Sequence, residues 1–213
     1  MCALAGGDEP VARNREWLAE REILAVNLIG SPGAGKTTLL ERTIRALSGY
    51  VPLSVVEGDR AELFGAERIR ATGARVIQVD TGAGDLDAPL LATALRRLDP
   101  ARRSVVFAET AVDLVRPAPV ELGEQSRVVV MSITEGPAKP AACPPMFAAA
   151  DVVLLNKTDL LPFVDFDLAR FEESMAGVNR DATVLAVSAT RGDGLAGWYG
   201  WLRSRHGRSV LSS

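Results

Sequence analysis

The sequence predicts an α/β fold: a mostly parallel central sheet of about seven strands flanked by helices. Three features predict it. Apolar runs recur that are nearly continuous rather than alternating, as in strands covered on both faces. Helical patterns lie between them, so successive strands connect by crossovers and run parallel. A glycine-rich stretch ends the first strong run and opens the first long helical pattern, a strand–loop–helix junction of the kind at which parallel sheets bind ligands.

Taken in order, Pro10–Arg21 reads as an extra N-terminal helix, Ile23–Ile29 (ILAVNLI) as the first strand and Lys36–Leu47 as the first helix of the repeating pattern. Leu53–Val56 (LSVV) is the second strand, Ala61–Ala71 a helix and Arg75–Val79 (RVIQV) the third strand. Asp85 precedes an apolar-periodic run, Leu86, Leu90, Leu91, Ala94 and Leu95, so it is expected to cap a helix Leu86–Leu98 by satisfying orphan amides and the helix dipole. Ser104–Ala108 (SVVFA), Arg127–Ser132 (RVVVMS) and Val152–Asn156 (VVLLN) are the next strands. Helix Phe166–Met175, strand Thr183–Ser188 (TVLAVS) and helix Leu195–Arg203 complete the pattern. With no internal repeat, low-complexity tract or linker, the chain divides into an N-terminal extension and helix (1–22), one domain (23–206) and a C-terminal tail (207–213) expected to fray.

Composition bounds the function. The 213 residues are 47% hydrophobic and 24% charged, ample for one buried core. A net charge of −3 argues against a nucleic-acid backbone as main partner, and the cluster Arg96, Arg97, Arg102 and Arg103 reads as a solvated face. No apolar run approaches the ~20 residues of a membrane span. "MCALAGGDEP" is too short and acidic for a signal peptide. Cys2 and Cys143 make no disulfide framework, which fits a reducing cytoplasm. With these two cysteines and one histidine, His206, a soft-ligand metal site within one chain is hard to build.

"GSPGAGKTT", Gly30 to Thr38, matches G-x-x-x-x-G-K-[ST] at Gly30, Gly35, Lys36 and Thr37. Glycines let backbone amides turn toward phosphate oxygens, and the helix N-terminus adds positive potential. Gly33, Ala34, Gly35, Lys36, Thr37 and Thr38 are therefore expected to cradle a nucleoside triphosphate. Lys36 is expected to reach the β- and γ-phosphates, and the Thr37 hydroxyl to ligate Mg²⁺. The fold is that of a P-loop NTPase.

"NKTD", Asn156 to Asp159, closes a buried-type strand. A carboxylate at Asp159 can accept from N1–H and the 2-amino group of guanine, donors that adenine lacks there. Lys157 would lie along the base plane, Asn156 would tie this loop to the phosphate loop, and Ser188, Ala189 and Thr190 would bring backbone amides near guanine O6. This selects GTP over ATP; alone, the motif is also compatible with an Asp turn. Two acids sit where magnesium and water must be managed. Glu109 ends "SVVFAE", the place of a Walker B carboxylate, and Asp59 ends "LSVVEGD" after the second strand. The expected catalytic set is Lys36, Asp59 and Glu109, with Thr37, Asp59 and Glu109 around Mg²⁺. No nearby histidine or glutamine orients water, so slow, partner- or dimer-dependent hydrolysis is expected.

Together these pieces resemble the GTPase of [NiFe]-hydrogenase maturation, the HypB family, sister to the urease accessory GTPase. The resemblance covers nearly the whole chain after residue 20. It rests on "NLIGSPGAGKTTLLE" (Asn27–Glu41), "EGD" (Glu57–Asp59), "RIRATGARVIQVDTGAG" (Arg68–Gly84) and "LDA" (Leu86–Ala88). It continues through "PAPVELGEQSRVVVMSITEG" (Pro117–Gly136), "MFAAADVVLLNKTDLLP" (Met146–Pro162) and "VSATRGDGLAGWYGWL" (Val187–Leu202). The resemblance implies a SIMIBI-type GTPase, a GTP-gated homodimer that helps place nickel in a hydrogenase large-subunit precursor with a maturation partner, and Asp59 and Glu109 beside Mg²⁺.

The resemblance also marks departures. Family members typically carry Cys-His just after the glycines and before "LDA", and another Cys before the "PA" that follows the Walker B strand, forming a nickel or zinc site across the dimer. Here "GAG" runs through Asp85 into "LDA", and "DLVRPAP" places Arg116 where the Cys would stand; an Arg cannot be a ligand. The N-terminal cysteine-rich motif of some members is missing, and Val112 replaces a glycine usual after the Walker B acid. Bound nickel or zinc is therefore not expected. Asp85 is expected to cap the helix at the lost site and to pair with Arg116; Asp85 with Asp87 as a hard-ion site, and Cys143 as a soft ligand, stay open. The competing functions are a GTP-dependent scaffold with vestigial hydrolysis, an accessory GTPase for another metalloenzyme such as urease, and a small-molecule kinase, which the N-K-x-D motif opposes.

Overall fold

The computed structural model describes residues 8–58, 65–82, 85–111 and 120–211. Seven strands form one sheet in the order β3-β2-β4-β1-β5-β6-β7. They are β1 (Leu24–Gly30), β2 (Leu53–Glu57), β3 (Arg75–Gln78), β4 (Val105–Ala111), β5 (Ser126–Ser132), β6 (Val152–Asn156) and β7 (Thr183–Ala186). Every pairing is parallel, so all seven carboxyl ends share one edge. The five inner strands bury their apolar residues on both faces, whereas β3 and β7, at the edges, are half exposed.

Alternation along β1 assigns the faces. Leu24, Val26 and Leu28 pack with Leu39, Leu40, Ile44 and Leu47 of α2 (Lys36–Leu47) and with Leu195, Trp198 and Leu202 of α8 (Leu195–Leu211). The other face is covered in two halves. Over β1, β2 and β4 lie Leu18 of α1 (Asp8–Glu20) and Leu91, Ala94, Leu95 and Leu98 of α4 (Ala88–Leu98). Over β5 and β6 lie Met146 and Phe147 of α6 (Pro144–Phe147) and Phe171 and Met175 of α7 (Leu168–Val178). Two short helices, α3 (Gly65–Arg70) and α5 (Lys139–Ala142), fill the remaining crossovers. Buried polar groups are matched on this face too: Asn27 of β1 accepts from the Thr110 hydroxyl at 2.9 Å and donates to Glu124 at 3.3 Å, and Arg127 pairs with the same carboxylate at 2.7 Å.

Three sequence expectations change. Asp85 is not the cap of α4: Asp87 is, its Oδ1 accepting from the Leu90 amide at 2.8 Å, and the helix starts at Ala88. Leu86 lies outside the helix and buries with Leu91 in one cluster, the N′–N4 contact of a hydrophobic staple, which fixes the start two residues later than periodicity suggested. α7 likewise begins after Asp167, which caps the Arg170 amide at 3.1 Å. The tail expected to fray is helical through Leu211, and His206 Nε2 lies 3.1 Å from the Arg103 carbonyl. "GPAKPAACPPMF", to which the sequence pattern assigns no element, holds two one-turn helices; Pro140 and Pro144 stand in first turns, where no amide is needed. Expectations for Ala61–Phe64, Arg116 and Val112 lie outside the described residues. α1 is docked by Asn14, whose amide donates to the Ala88 and Leu122 carbonyls, each at 2.8 Å.

Candidate nucleotide site

The phosphate loop leaves β1 at Gly30 and enters α2 at Lys36. Its glycine requirement is physical at Gly35: φ is +99°, and an added Cβ would lie 2.4 Å from Asn156 Nδ2. Gly30 is similarly constrained, since a Cβ there would lie 2.4 Å from the Val130 carbonyl of neighbouring β5. Lys36 and Thr37 are buried although polar. The Lys36 ammonium donates to the carbonyls of Gly30 at 3.1 Å and Ser31 at 3.3 Å and sits 3.9 Å from Glu109 Oε1. Gly33 is exposed, Ala34 buried, and Thr38 half-buried beside α3, where its hydroxyl accepts from Arg68 at 3.1 Å. Arg68 is also ion-paired with Glu41 of α2.

Glu109 lies near the carboxyl end of β4, 1% exposed, on the face covered by α2. Its register partner on β2 is Glu57, also 1% exposed. Register partners on parallel strands point to the same face, so two buried carboxylates lie side by side there, Glu109 being the one beside the Lys36 cation. Glu57 was missed in the sequence: "EGD" was visible, but only the β2–β4 register shows that Glu57 is level with Glu109. The Thr37 hydroxyl and Glu109 carboxylate are hard oxygen donors of the kind that suits Mg²⁺. Asp59, the third expected member, lies outside the described residues. Among the described residues, no three His, Cys, Asp or Glu side chains converge as a metal site.

At the other end of the site, loops after β6 and β7 meet the phosphate loop. Asn156, 1% exposed, donates through Nδ2 to the Ala34 carbonyl at 2.9 Å and accepts at Oδ1 from the Ala189 amide at 3.0 Å. One side chain thus joins three loops. Lys157 takes a left-handed conformation, φ 65°, which turns the chain so that Asp159 faces the β7 loop. The Ser188 hydroxyl donates to Asp159 Oδ1 at 2.7 Å and accepts from the Arg191 amide at 3.0 Å. Thr190 is exposed, and its carbonyl accepts from Arg42 of α2. Gly33, Ala34, Gly35, Lys36, Thr37, Thr38, Asn156, Lys157, Asp159, Ser188, Ala189, Thr190 and Glu109 therefore all lie at the carboxyl edge of the sheet. A groove of about 380 Å³ between α1 and α4, lined by Trp17, Pro89 and Leu95, lies across the sheet from this site.

A family model described as the CobW/HypB/UreG nucleotide-binding domain matches residues 24–186. The chain belongs to the CobW/HypB/UreG family. Within that family it is similar to the hydrogenase maturation factor HypB of Escherichia coli strain K12, 45% identical over 194 residues, 91% of this chain and 67% of that one. The HypB of Azotobacter vinelandii is 44% identical over 205 residues, 96% of this chain and 68% of its own length. The crystal structure of HypB from Archaeoglobus fulgidus superposes with a TM-score of 0.86 at 30% identity, covering 95% of this chain and all of that one. CobW/HypB/UreG membership and the sheet order make the fold that of a P-loop NTPase, suited to nucleotide binding and hydrolysis. Among the described residues no helix is long and apolar enough to cross a membrane.

Proposed function

We propose that the chain is a GTP-hydrolysing switch for metallocentre assembly, serving nickel insertion during [NiFe]-hydrogenase maturation without carrying nickel itself. The observation that carries the guanine assignment is the Asn156 bridge, which holds the N-K-x-D loop against the phosphate loop while Ser188 orients Asp159. Asp159 accepts from N1–H and the 2-amino group of guanine, Lys157 lies along the base, and the backbone of Ser188 to Thr190 faces O6. Lys36 exchanges its bonds to the Gly30 and Ser31 carbonyls for the β- and γ-phosphates. Thr37, Glu109 and Asp59 would hold Mg²⁺, and the ion would supply charge neutralisation at the phosphate oxygens. Glu57, beside Glu109, adds to the negative field that favours that cation.

Hydrolysis is slow in the lone chain and rises on dimerisation in the cytoplasm with GTP bound. The exposed Leu161 and Phe163, just past the guanine loop, provide apolar surface for that contact. The cargo metal, nickel, passes through a maturation partner to the hydrogenase precursor, because Asp85 and Arg116 stand where relatives are expected to carry thiolate and imidazole ligands. The test is turnover of GTP and ATP by the wild-type chain and Lys36→Ala, together with restoration of hydrogenase activity in a strain lacking its own HypB. GTP-selective, Lys36-dependent turnover and restored activity are expected; ATP turnover at the GTP rate, or no restoration, overturns the reading. Val112 favours a second reading, a GTP-dependent scaffold, which a kcat near zero at every protein concentration would support.

A further inference from the structure

We propose that Glu135 and Lys139 are positioning residues that brace the phosphate loop through the side chain of Ser31; the inference rests on the guanine-nucleotide reading above. Ser31 is the second residue of the loop. Its hydroxyl donates to Glu135 Oε2 at 2.6 Å. Lys139 donates to the same hydroxyl at 3.3 Å and pairs with the same carboxylate oxygen at 3.2 Å. The other oxygen of Glu135 accepts from the Ser132 amide at 2.8 Å, closing a capping box on the 3₁₀ turn Ile133–Glu135 at the end of β5. Since β5 pairs directly with β1, the brace runs from one strand end to the loop that leaves the next. The side chains of Glu135 and Lys139 are 17% and 14% exposed, so solvent screens this pair far less than a surface ion pair.

The brace has a role because Ser31 is held twice. Lys36 holds its backbone carbonyl; Glu135 and Lys139 hold its side chain. When Lys36 leaves the carbonyl for a phosphate, the side-chain contacts keep Ser31 in place, and the loop amides stay aimed at the ligand. A loop ordered before binding loses less conformational entropy when the ligand arrives. The effect falls on the phosphates that GTP and GDP share.

The experiment is titration calorimetry of the full chain with GDP and with a non-hydrolysable GTP analogue, in Mg²⁺. Lys139→Met is expected to weaken both ligands by a similar factor, about five- to tenfold. Lys139→Arg, which keeps the donors and the charge, is expected to restore most of the loss. Ser31→Ala, a small change that spares the fold, reproduces the loss, and adding Lys139→Met to it changes affinity little further. Unchanged GDP affinity in Ser31→Ala, additive effects of the two substitutions, or a loss confined to the GTP analogue overturns the brace. A wild-type chain that binds neither ligand overturns the guanine-nucleotide reading itself.

Discussion

The guanine side and the phosphate side of the site are built differently. On the guanine side the polar groups satisfy one another: Asn156 spans Ala34 and Ala189, and Ser188 links the Arg191 amide to Asp159. On the phosphate side a lysine and two glutamates, each 1% exposed, share the interior. Lys36 is held by two loop carbonyls, with Glu109 at 3.9 Å. Hydrogen bonds between satisfied neighbours make a rigid template, whereas buried charges respond strongly to any new charge because the interior screens them weakly. Base recognition is therefore prebuilt, and rearrangement is concentrated where the phosphates bind.

The substitutions that test this contrast run from large effects to small. Lys36→Ala is expected to lower GTP turnover by about 10²–10³-fold, the cost of losing one preorganised cationic donor to the transferring phosphate; steady-state hydrolysis assays read it. Wild-type turnover in Lys36→Ala would mean the chemistry does not use this loop. Asp159→Asn is expected to weaken GTP by about 100-fold through two charge-assisted hydrogen bonds. It is also expected to favour xanthosine nucleotides, whose 2-oxo group can accept from the new amide. Competition binding reads both changes.

Asn156→Ala strips the buried partners from the Ala34 carbonyl and the Ala189 amide. It is expected to cost about 2–4 kcal/mol of stability and to lower Tm by roughly 5–12 °C. Because this side chain joins the two halves, it should also weaken GTP and GMP together; a loss of stability with unchanged affinities would break the template account. The smallest effect is expected far from the site. Arg103 hydrogen-bonds Glu22 and holds its carboxyl below the usual glutamate range. A lowered folded-state value stabilises the fold above the unfolded-state value, and the gain disappears as pH falls through the folded-state value. Glu22→Gln should therefore melt slightly earlier than wild type at neutral pH, converge with it in acid, and bind GTP unchanged. Thermal melts across pH check the sign.

Much of this architecture is legible in the sequence because its signals are local. The phosphate loop combines Gly35, Lys36 and Thr37 in adjacent positions, and Asn156 with Asp159 follows a continuous apolar strand, so motif and context agree. What escaped is non-local. Glu57 gains its meaning only from a register between β2 and β4, strands separated by more than 40 residues of chain. The helix start at Ala88 turned on whether Leu86 packs inside the helix or before it, which periodicity cannot decide. α8 extends past Arg203 because His206 and Arg205 find partners on the β4 and β5 approaches, contacts invisible along the chain. The brace on Ser31 was half visible: "SITE" carries the Ser-x-x-Glu of a capping box, but its second oxygen is used across the sheet.

The most direct measurement is titration calorimetry of the wild-type chain with GTP, GDP and ATP in the presence of Mg²⁺. A prebuilt guanine side predicts that GTP and GDP bind within about tenfold of each other while ATP binds at least about 100-fold more weakly. ATP binding as tight as GTP would contradict the account, because the Asn156, Ser188 and Asp159 template would then not be reading the base.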